Sequence, residues 1–476
     1  MEVIRPAGNN ERRCIVRDVL GLYGSIISVG TYRSQNAKQD LSKDTIFKAL
    51  KQCIEELSTL STIVNDSETE TPQLVKASKI DLEQHVHFLD QTDIQALLEQ
   101  AHNNPLTEYE ARPQWRLYIT LTADVSSPSF HVAFATSHAL ADGTSGLIFH
   151  KTFLAALRNS SQLSFAAGPV FSPTTHRSLP PALEQAGDLS ISWSFLAGPL
   201  LEEFFPAWLN RLLGFSKDKP GSSKPWCGAA TKPSVEAFVE TAVHVTAVSP
   251  EILLSALAAC RKHNARLTGL LNYLTCRALA RNLHVRGREY ARFITETALD
   301  LRRCLPDEYH ESMGNFPSAI SETVDIPLSS LEAGKHELVS SDWEAVQTTT
   351  KLLSEKSSTL ADQATGLLKF LSNYREWTIK QATSPMEASF GMSNLGTFDG
   401  SSKDNADSSW EVTDMVFSQS ADATGPPFNL NVASGKHGSL MLVLSWMTGV
   451  LGVEDERLFV QDVMQDVVAQ LQAVSA

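Results

Sequence analysis

The chain has 476 residues, a formal charge of −14, 42% hydrophobic residues and 25 glycines. That is enough apolar material to bury a large core without covalent staples, and the length allows two or three domains. The acidic balance, with no Lys/Arg run longer than two residues, excludes nucleic acid as a partner, because phosphate recognition needs a basic field.

The six cysteines (Cys14, Cys53, Cys227, Cys260, Cys276, Cys304) are scattered and form no C-x-x-C pair. Zinc-ribbon and thioredoxin readings therefore fail, no metal site is expected, and reduced thiols in the cytosol fit best. The opening Met-Glu-Val-Ile-Arg-Pro has no apolar signal region, and no apolar stretch is long enough for a membrane span. Cytoplasm is the expected location.

In chain order, Gly24–Arg33 reads as strand. Residues 41–58 read as an amphipathic helix, with Ile46, Leu50, Cys53, Ile54 and Leu57 at three- and four-residue steps. Strands are predicted over 115–121 and 130–136, then a turn at Asp142-Gly143 and a helix over 144–157. Residues 166–235 carry nine prolines and a polar run, Lys217–Lys224, around an apolar patch from Trp193 to Phe215. This segment is taken as a crossover between two halves, 1–165 and 236–476. The patch is read as one or two helices packed on the core, with a lipid or product-channel surface as the functional alternative.

The second half repeats the alternation. A strand is predicted over 235–247, helices over 249–262 and 267–283, and strands over 290–301 and 318–326. Two polar helices follow at about 341–373, strands at 388–398 and 410–419, a hairpin over 428–450 and a terminal helix over 454–473. The expectation is a mixed α/β (α+β, two-layer) fold of two related domains, with the active site at their interface.

No G-x-S-x-G elbow, H-E-x-x-H helix, Walker A loop or G-x-G-x-x-G fingerprint is present. The commonest hydrolase, metalloprotease, NTPase and dinucleotide readings fall with them. What remains is Ser137-His138-Ala-Leu-Ala-Asp142-Gly143. With 13 histidines and Asp at about one residue in twenty, chance alone supplies roughly 0.7 H-x-x-x-D spacings, so the spacing by itself says little. The following Gly, the strand before and the helix after make it informative. His138 ends a rigid strand, with an unperturbed pKa of ~6.5 suited to moving a proton. Asp142 can orient it, or pair with an arginine and fix the turn. On spacing alone, the bland reading of His138 is a satisfied buried histidine.

His138-Ala-Leu-Ala-Asp142-Gly143 resembles the H-x-x-x-D-G motif of the acyltransferase superfamily. That group includes chloramphenicol acetyltransferase, plant acyl-CoA-dependent acyltransferases, peptide-synthetase condensation domains and fungal or yeast alcohol acetyltransferases. Further segments agree in order. They are Arg5-Pro6 with Glu11 and Leu22-Tyr23, then Arg112-Pro-Gln-Trp115, then Asp300-Leu-Arg302-Arg303-Cys-Leu-Pro306 with Met313-Gly-Asn-Phe316, and Ser393-Asn394-Leu-Gly396. Ser137 stands where condensation domains carry a first histidine, and the plant Asp-Phe-Gly-Trp-Gly loop is missing. The alcohol acetyltransferase-like branch fits best.

The resemblance implies two chloramphenicol-acetyltransferase-like domains around a channel, and acyl transfer in a ternary complex without an acyl-enzyme. His138 is then the general base and Asp142 pairs with Arg302. Asn394, Ser393 and the Gly143 amide are the oxyanion candidates. No tightly bound cofactor is implied. Acyl-CoA is a co-substrate, its anionic part met by Arg261, Lys262, His263 and Arg266, or by Lys351 to Lys356. The acceptor is a small-molecule alcohol or amine, in natural-product or secondary metabolism. Alternatives are N-acylation, a carrier-protein thioester as donor, and cyclisation on the same fold. Two fused halves favour a monomer.

Overall fold

The apolar run before His138 becomes the strand Ser129–Ser137, whose residues Val132 to Ala135 are all buried. It lies inside a five-stranded sheet and pairs antiparallel with Ser25–Ser34 on one side and Trp115–Leu121 on the other. An interior strand satisfies its amides on both edges, so its end is a rigid mount for a side chain. Val86–Phe88 closes one edge in parallel. The computed structural model describes residues 2–34, 42–90, 93–121, 129–165, 168–174, 177–196, 224–236, 238–327, 336–401 and 410–475.

The opposite edge of this sheet is Trp410–Gln419, antiparallel to Ser25–Ser34. This strand lies far along the chain, yet its Val412, Met415 and Phe417 are buried in the first-half core. The two halves are thus interlocked by a shared strand. The second sheet has six strands in the order Thr241–Val248, Leu440–Met447, Phe428–Gly435, Phe390–Phe398, Arg292–Asp300, Pro317–Asp325. Its two central junctions, Phe390–Phe398 with both neighbours, are parallel.

Helices cover the sheets. In Lys43–Glu56 the predicted face is buried through Ile46, Leu50, Cys53 and Ile54, and Ser42 caps the helix by accepting from the Thr45 amide at 3.2 Å. It packs on Gly143–Arg158, whose Phe149 stacks on Phe134 with centroids 3.9 Å apart. In the second half, Leu267–Val285 is buried almost all round, the mark of a core helix rather than a surface one. The terminal helix Glu456–Ser475 covers it with Val460, Val463, Met464, Val467 and Leu471.

Several elements differ from the sequence reading. The strand predicted to open at 235 begins at Thr241; before it, the Val239 amide bonds the Gly21 carbonyl at 2.8 Å, tying the chain to the first half. The polar helix from 340 stops at Lys356. A 3-10 stretch follows at Ala364–Phe370, and a separate helix, Tyr374–Thr383, starts where Asn373 accepts from the Glu376 amide at 2.9 Å. The cap sets that start more strongly than side-chain periodicity does. The helices Asn9–Val19 and Ile94–His102 and the strands Thr62–Asn65 and Gln73–Lys76 had no counterpart in the sequence reading.

Of the apolar patch from Trp193 to Phe215, residues 197–215 lie outside the described residues. Just past it, Trp226 is fully buried and its amide bonds the Arg292 carbonyl at 3.1 Å. The six cysteines are free thiols. No helix among the described residues is long and apolar enough to cross a membrane.

Candidate active site

His138 is the first residue off its strand, half-buried, and Asp142 four residues on is the N-cap of the helix Gly143–Arg158. The Asp142 side chain is saturated. Its Oδ1 accepts from the Ser145 amide and hydroxyl, both at 3.0 Å, and from Arg302 Nη2 at 2.9 Å. Its Oδ2 accepts from Arg302 Nη1 at 2.7 Å and the Phe316 amide at 3.0 Å. Burial alone would raise this carboxyl's pKa; Arg302 and the amide donors reverse that and hold it below the usual range.

Arg302 is also buried. It reaches the carbonyls of Ser312 and Gly314 at 3.2 Å and Asp300 at 3.1 Å. Burial works against its charge, but Asp142 and Asp300 more than offset it and keep it protonated. Ser145 Oγ, its one proton turned to Asp142, accepts the Gly314 amide at 3.1 Å and lies 3.0 Å from the Gly314 carbonyl. The motif turn is thereby pinned to residues 312–316 of the second half. Gly143 serves close approach: a Cβ there would meet Leu395 Cδ2 at 2.6 Å and Phe417 Cζ at 3.0 Å.

With both Asp142 oxygens occupied, the carboxylate does not hold the imidazole. His138 Nδ1 is buried without a partner, and Nε2 makes no hydrogen bond among the described residues. The backbone under the ring is held instead. Asn315 Nδ2 donates to the His138 carbonyl at 2.7 Å, and Asn10 Nδ2 donates to Asn315 Oδ1 at 2.8 Å. On the other flank, Ser137 Oγ donates to Asp18 Oδ2 at 2.5 Å and accepts the Ala139 amide at 3.0 Å. The Tyr23 ring lies 5.9 Å from the imidazole, centroid to centroid. Burial, then Arg17 and Arg13, push His138 down to about 4, with Asp142 offsetting this only in part. The ring is neutral at physiological pH and able to accept a proton.

His138 faces a cavity of about 940 Å³, lined from both halves of the chain. Asn10, Arg13 and Arg17 come from the first helix. Ser318, Lys380, Met392, Gln419 and Asp422 come from the second half. Arg17 is paired with Asp422 at 2.6 Å and lies over the Tyr23 ring. Among the described residues no cluster of His, Cys, Asp and Glu is arranged to hold a metal.

The remaining sequence-derived candidates fall elsewhere. The strand bearing Ser393 and Asn394 lines the cavity through Gly391 and Met392 instead. The Asn394 amide is turned to Thr268 Oγ1 at 3.0 Å, and its Oδ1 accepts the Gly396 amide at 2.8 Å. Arg261, Lys262 and Arg266 are exposed at the end of the helix Pro250–Lys262 and just beyond it, and none lines the cavity. The positive charge of Arg261 and Lys262 complements the carbonyl end of that helix, whereas Arg266 is the N-cap of the next one, Leu267–Val285. Conversely, Asn10, Arg13 and Arg17 were missed. Their three- and four-residue spacing marks one helix face, a signal readable only once residues 9–19 are recognised as helix.

A family model for alcohol acetyltransferase matches residues 7–467. A probable alcohol acetyltransferase, FCK4, of Fusarium pseudograminearum is 22% identical over 476 residues, covering 95% of this chain and 94% of its own. The probable alcohol acetyltransferase crmB of Aspergillus fumigatus is 23% identical over 415 residues, covering 81% of each. Among solved structures, TRI3 trichothecene 15-O-acetyltransferase from Fusarium sporotrichioides superposes with a TM-score of 0.68 at 14% identity, over 98% of this chain and 95% of that one. The condensation domain of the Monacolin K polyketide synthase MokA gives 0.58 at 11% identity, over 99% and 98%. At these identities the structural likeness establishes the fold: the mixed α/β, two-lobed architecture of the condensation-domain and chloramphenicol-acetyltransferase type.

Proposed function

The chain belongs to the alcohol acetyltransferase family, and from that premise we propose that it moves an acyl group from acyl-coenzyme A to the hydroxyl of a small molecule, with His138 as general base. The observation that carries this is a neutral imidazole with an uncommitted Nε2 at the wall of a 940 Å³ cavity between the two halves. Cavities of roughly 300–1,000 Å³ are the size that small ligands occupy.

In this reading His138 Nε2 takes the hydroxyl proton as the acceptor oxygen attacks the thioester carbonyl. The tetrahedral adduct expels the coenzyme A thiolate, to which His138 returns the proton. A placed base contributes about 10²–10⁴-fold, and holding both substrates together contributes several kcal/mol more, up to about 7–11. Asp142 acts on the turn: saturated by Arg302, Ser145 and Phe316, it fixes where His138 sits and takes no proton.

For the oxyanion, the hydroxyl of Tyr23 is our candidate donor, since it lines the same cavity and its ring lies 5.9 Å from that of His138. Burial keeps it protonated, and its one proton, donated to Gln419 Oε1 over a long 3.3 Å, would turn from there to the oxyanion. Removing one such donor typically costs about 2.7–4 kcal/mol. Arg13 and Lys380 line the same cavity and are the candidate cations for an anionic donor.

The test is incubation with acetyl-coenzyme A and a panel of alcohols, following free thiol. Release that depends on both the alcohol and His138 supports the reading; no release with any thioester and alcohol overturns it.

A further inference from the structure

Two guanidiniums act on His138. Arg13 and Arg17 both depress its pKa, and all three residues line the same 940 Å³ cavity. Arg17 is neutralised by Asp422, whose Oδ2 it meets at 2.6 Å. The other oxygen of that carboxylate is taken by the amide and hydroxyl of Thr424, at 2.8 and 2.6 Å. Asp422 is therefore spent. Glu296 and Glu376 also line the cavity, but neither is bonded to Arg13.

Among the described residues, Arg13 makes one side-chain hydrogen bond, from Nε to Asn10 Oδ1 at 3.0 Å; its Nη1 and Nη2 make none. Burial, then the charge of Arg17, work against its cation and hold its pKa below the usual value, with Asp422 offsetting this only in part. An arginine on an open surface is solvated and needs no partner. Arg13 differs in being half-buried in a cavity wall and fixed in direction. The Asn10 that holds its Nε donates to Asn315 Oδ1 at 2.8 Å, and Asn315 donates to the His138 carbonyl at 2.7 Å. Two buried asparagines thus tie this guanidinium to the backbone that carries the base. Beside His138 stand two cations and one committed carboxylate, which leaves one positive charge and one forked pair of donors uncommitted. A forked guanidinium matches a carboxylate in shape as well as in charge.

We infer that Arg13 receives, through Nη1 and Nη2, a carboxylate carried by the acceptor, so that the alcohol acylated here is a hydroxy acid. The inference rests on the acyl-transfer reading and narrows its acceptor class. One surplus cation is balanced by one carboxylate, whereas a phosphate ester brings about −1.5 to −2. The phosphates of coenzyme A are the other anions in this reaction. The pantetheine arm separates them from the thioester, while Arg13 acts on the ring at which the thioester reacts. That assigns Arg13 to the acceptor and leaves Lys380 as the candidate for the donor.

The experiment compares linear hydroxy acids, from glycolate to 8-hydroxyoctanoate, with the matching hydroxy amides, which keep the shape and lose the charge. Binding is measured by calorimetry with and without coenzyme A, on the wild type, Arg13→Gln and Arg13→Lys. Turnover is measured with acetyl-coenzyme A and with the acetyl thioester of N-acetylcysteamine, which has no phosphate. The best hydroxy acid is expected to bind roughly tenfold to hundredfold more tightly than its amide, the worth of hydrogen bonding to a charged group. Arg13→Gln should bring that ratio close to one. Arg13→Lys, a point charge without the fork, should keep part of it.

Equal affinity for acid and amide throughout the wild-type series overturns the inference, whatever the folding of the variants. So does a preference that Arg13→Gln leaves intact. A rise in KM for acetyl-coenzyme A alone, with the phosphate-free thioester unaffected, gives Arg13 to the donor and overturns it as well. Acetylation of neutral alcohols without any acid preference sinks this inference and leaves the transferase reading standing. Acid-selective binding with no turnover does the reverse.

Discussion

Arg302 grips Asp142 through two hydrogen bonds, of 2.7 and 2.9 Å, across the boundary between the two halves of the molecule. Side-chain exposures of 3% and 6% make this a buried pair. Losing one partner leaves the other charge without compensation, which typically costs 3–5 kcal/mol. Asp142→Asn and Arg302→Ala are each expected to lower the unfolding midpoint and the turnover together. In the double variant the loss should approach the larger single loss rather than the sum. Strict additivity in denaturant titrations would show that the two side chains do not act as one unit.

His138→Ala should reduce kcat by about 10²–10⁴-fold while leaving the thermal midpoint near that of the wild type. The pH profile gives a second handle. Burial and two arginines hold the ring near 4, so the base is already ionisation-ready well below neutrality. The acid limb of kcat/KM, which reports the free enzyme, is expected near pH 4 rather than 6.5. A limb centred between pH 6 and 7 would take the proton transfer away from His138 in this conformation.

Asn315 touches no substrate in the proposed scheme; it holds the carbonyl of His138 and is itself held by Asn10. Asn315→Ala is expected to cut kcat roughly tenfold to a hundredfold with KM little changed, since a displacement near 1 Å suffices for that. Asn10→Ala should give a smaller change of the same kind. Equal rises in KM with kcat preserved would assign both to substrate binding instead.

Acid should loosen the protein in a definite window. Burial depresses His85, His102 and His150 to about 4, 3 and 4, and His138 to about 4. Between those values and 6.5 the unfolded chain binds more protons than the folded one, so stability rises with pH across the window and is lost as pH falls through it. Urea midpoints measured from neutrality down to about pH 4.5 should decline steadily; a flat series would mean these rings are not buried neutral.

Local pattern carried much of the architecture. The face of Lys43–Glu56 was readable because Ile46, Leu50, Cys53 and Ile54 recur at helical steps. The interior strand before His138 was readable because its residues are apolar without interruption. Where a cap competes with periodicity, as Asn373 does before Tyr374–Thr383, the pattern misplaced the element. The strand Trp410–Gln419 was visible as a strand, but its partner was not, since pairing is chosen by which core its inner face fits.

That a histidine follows a buried strand, that an aspartate and a glycine open the next helix, and that together they resemble a family motif can all be read along the chain, because each depends on residues a few positions apart. What surrounds that histidine is set by packing. Asn10, Tyr23, Asn315 and Asp422 reach the site from segments hundreds of residues apart, and Asn394 turns to Thr268 instead of the cavity. The lowered pKa of His138 arises the same way: burial and the neighbouring Arg17 and Arg13 are properties of packing, and no spacing along the chain records them.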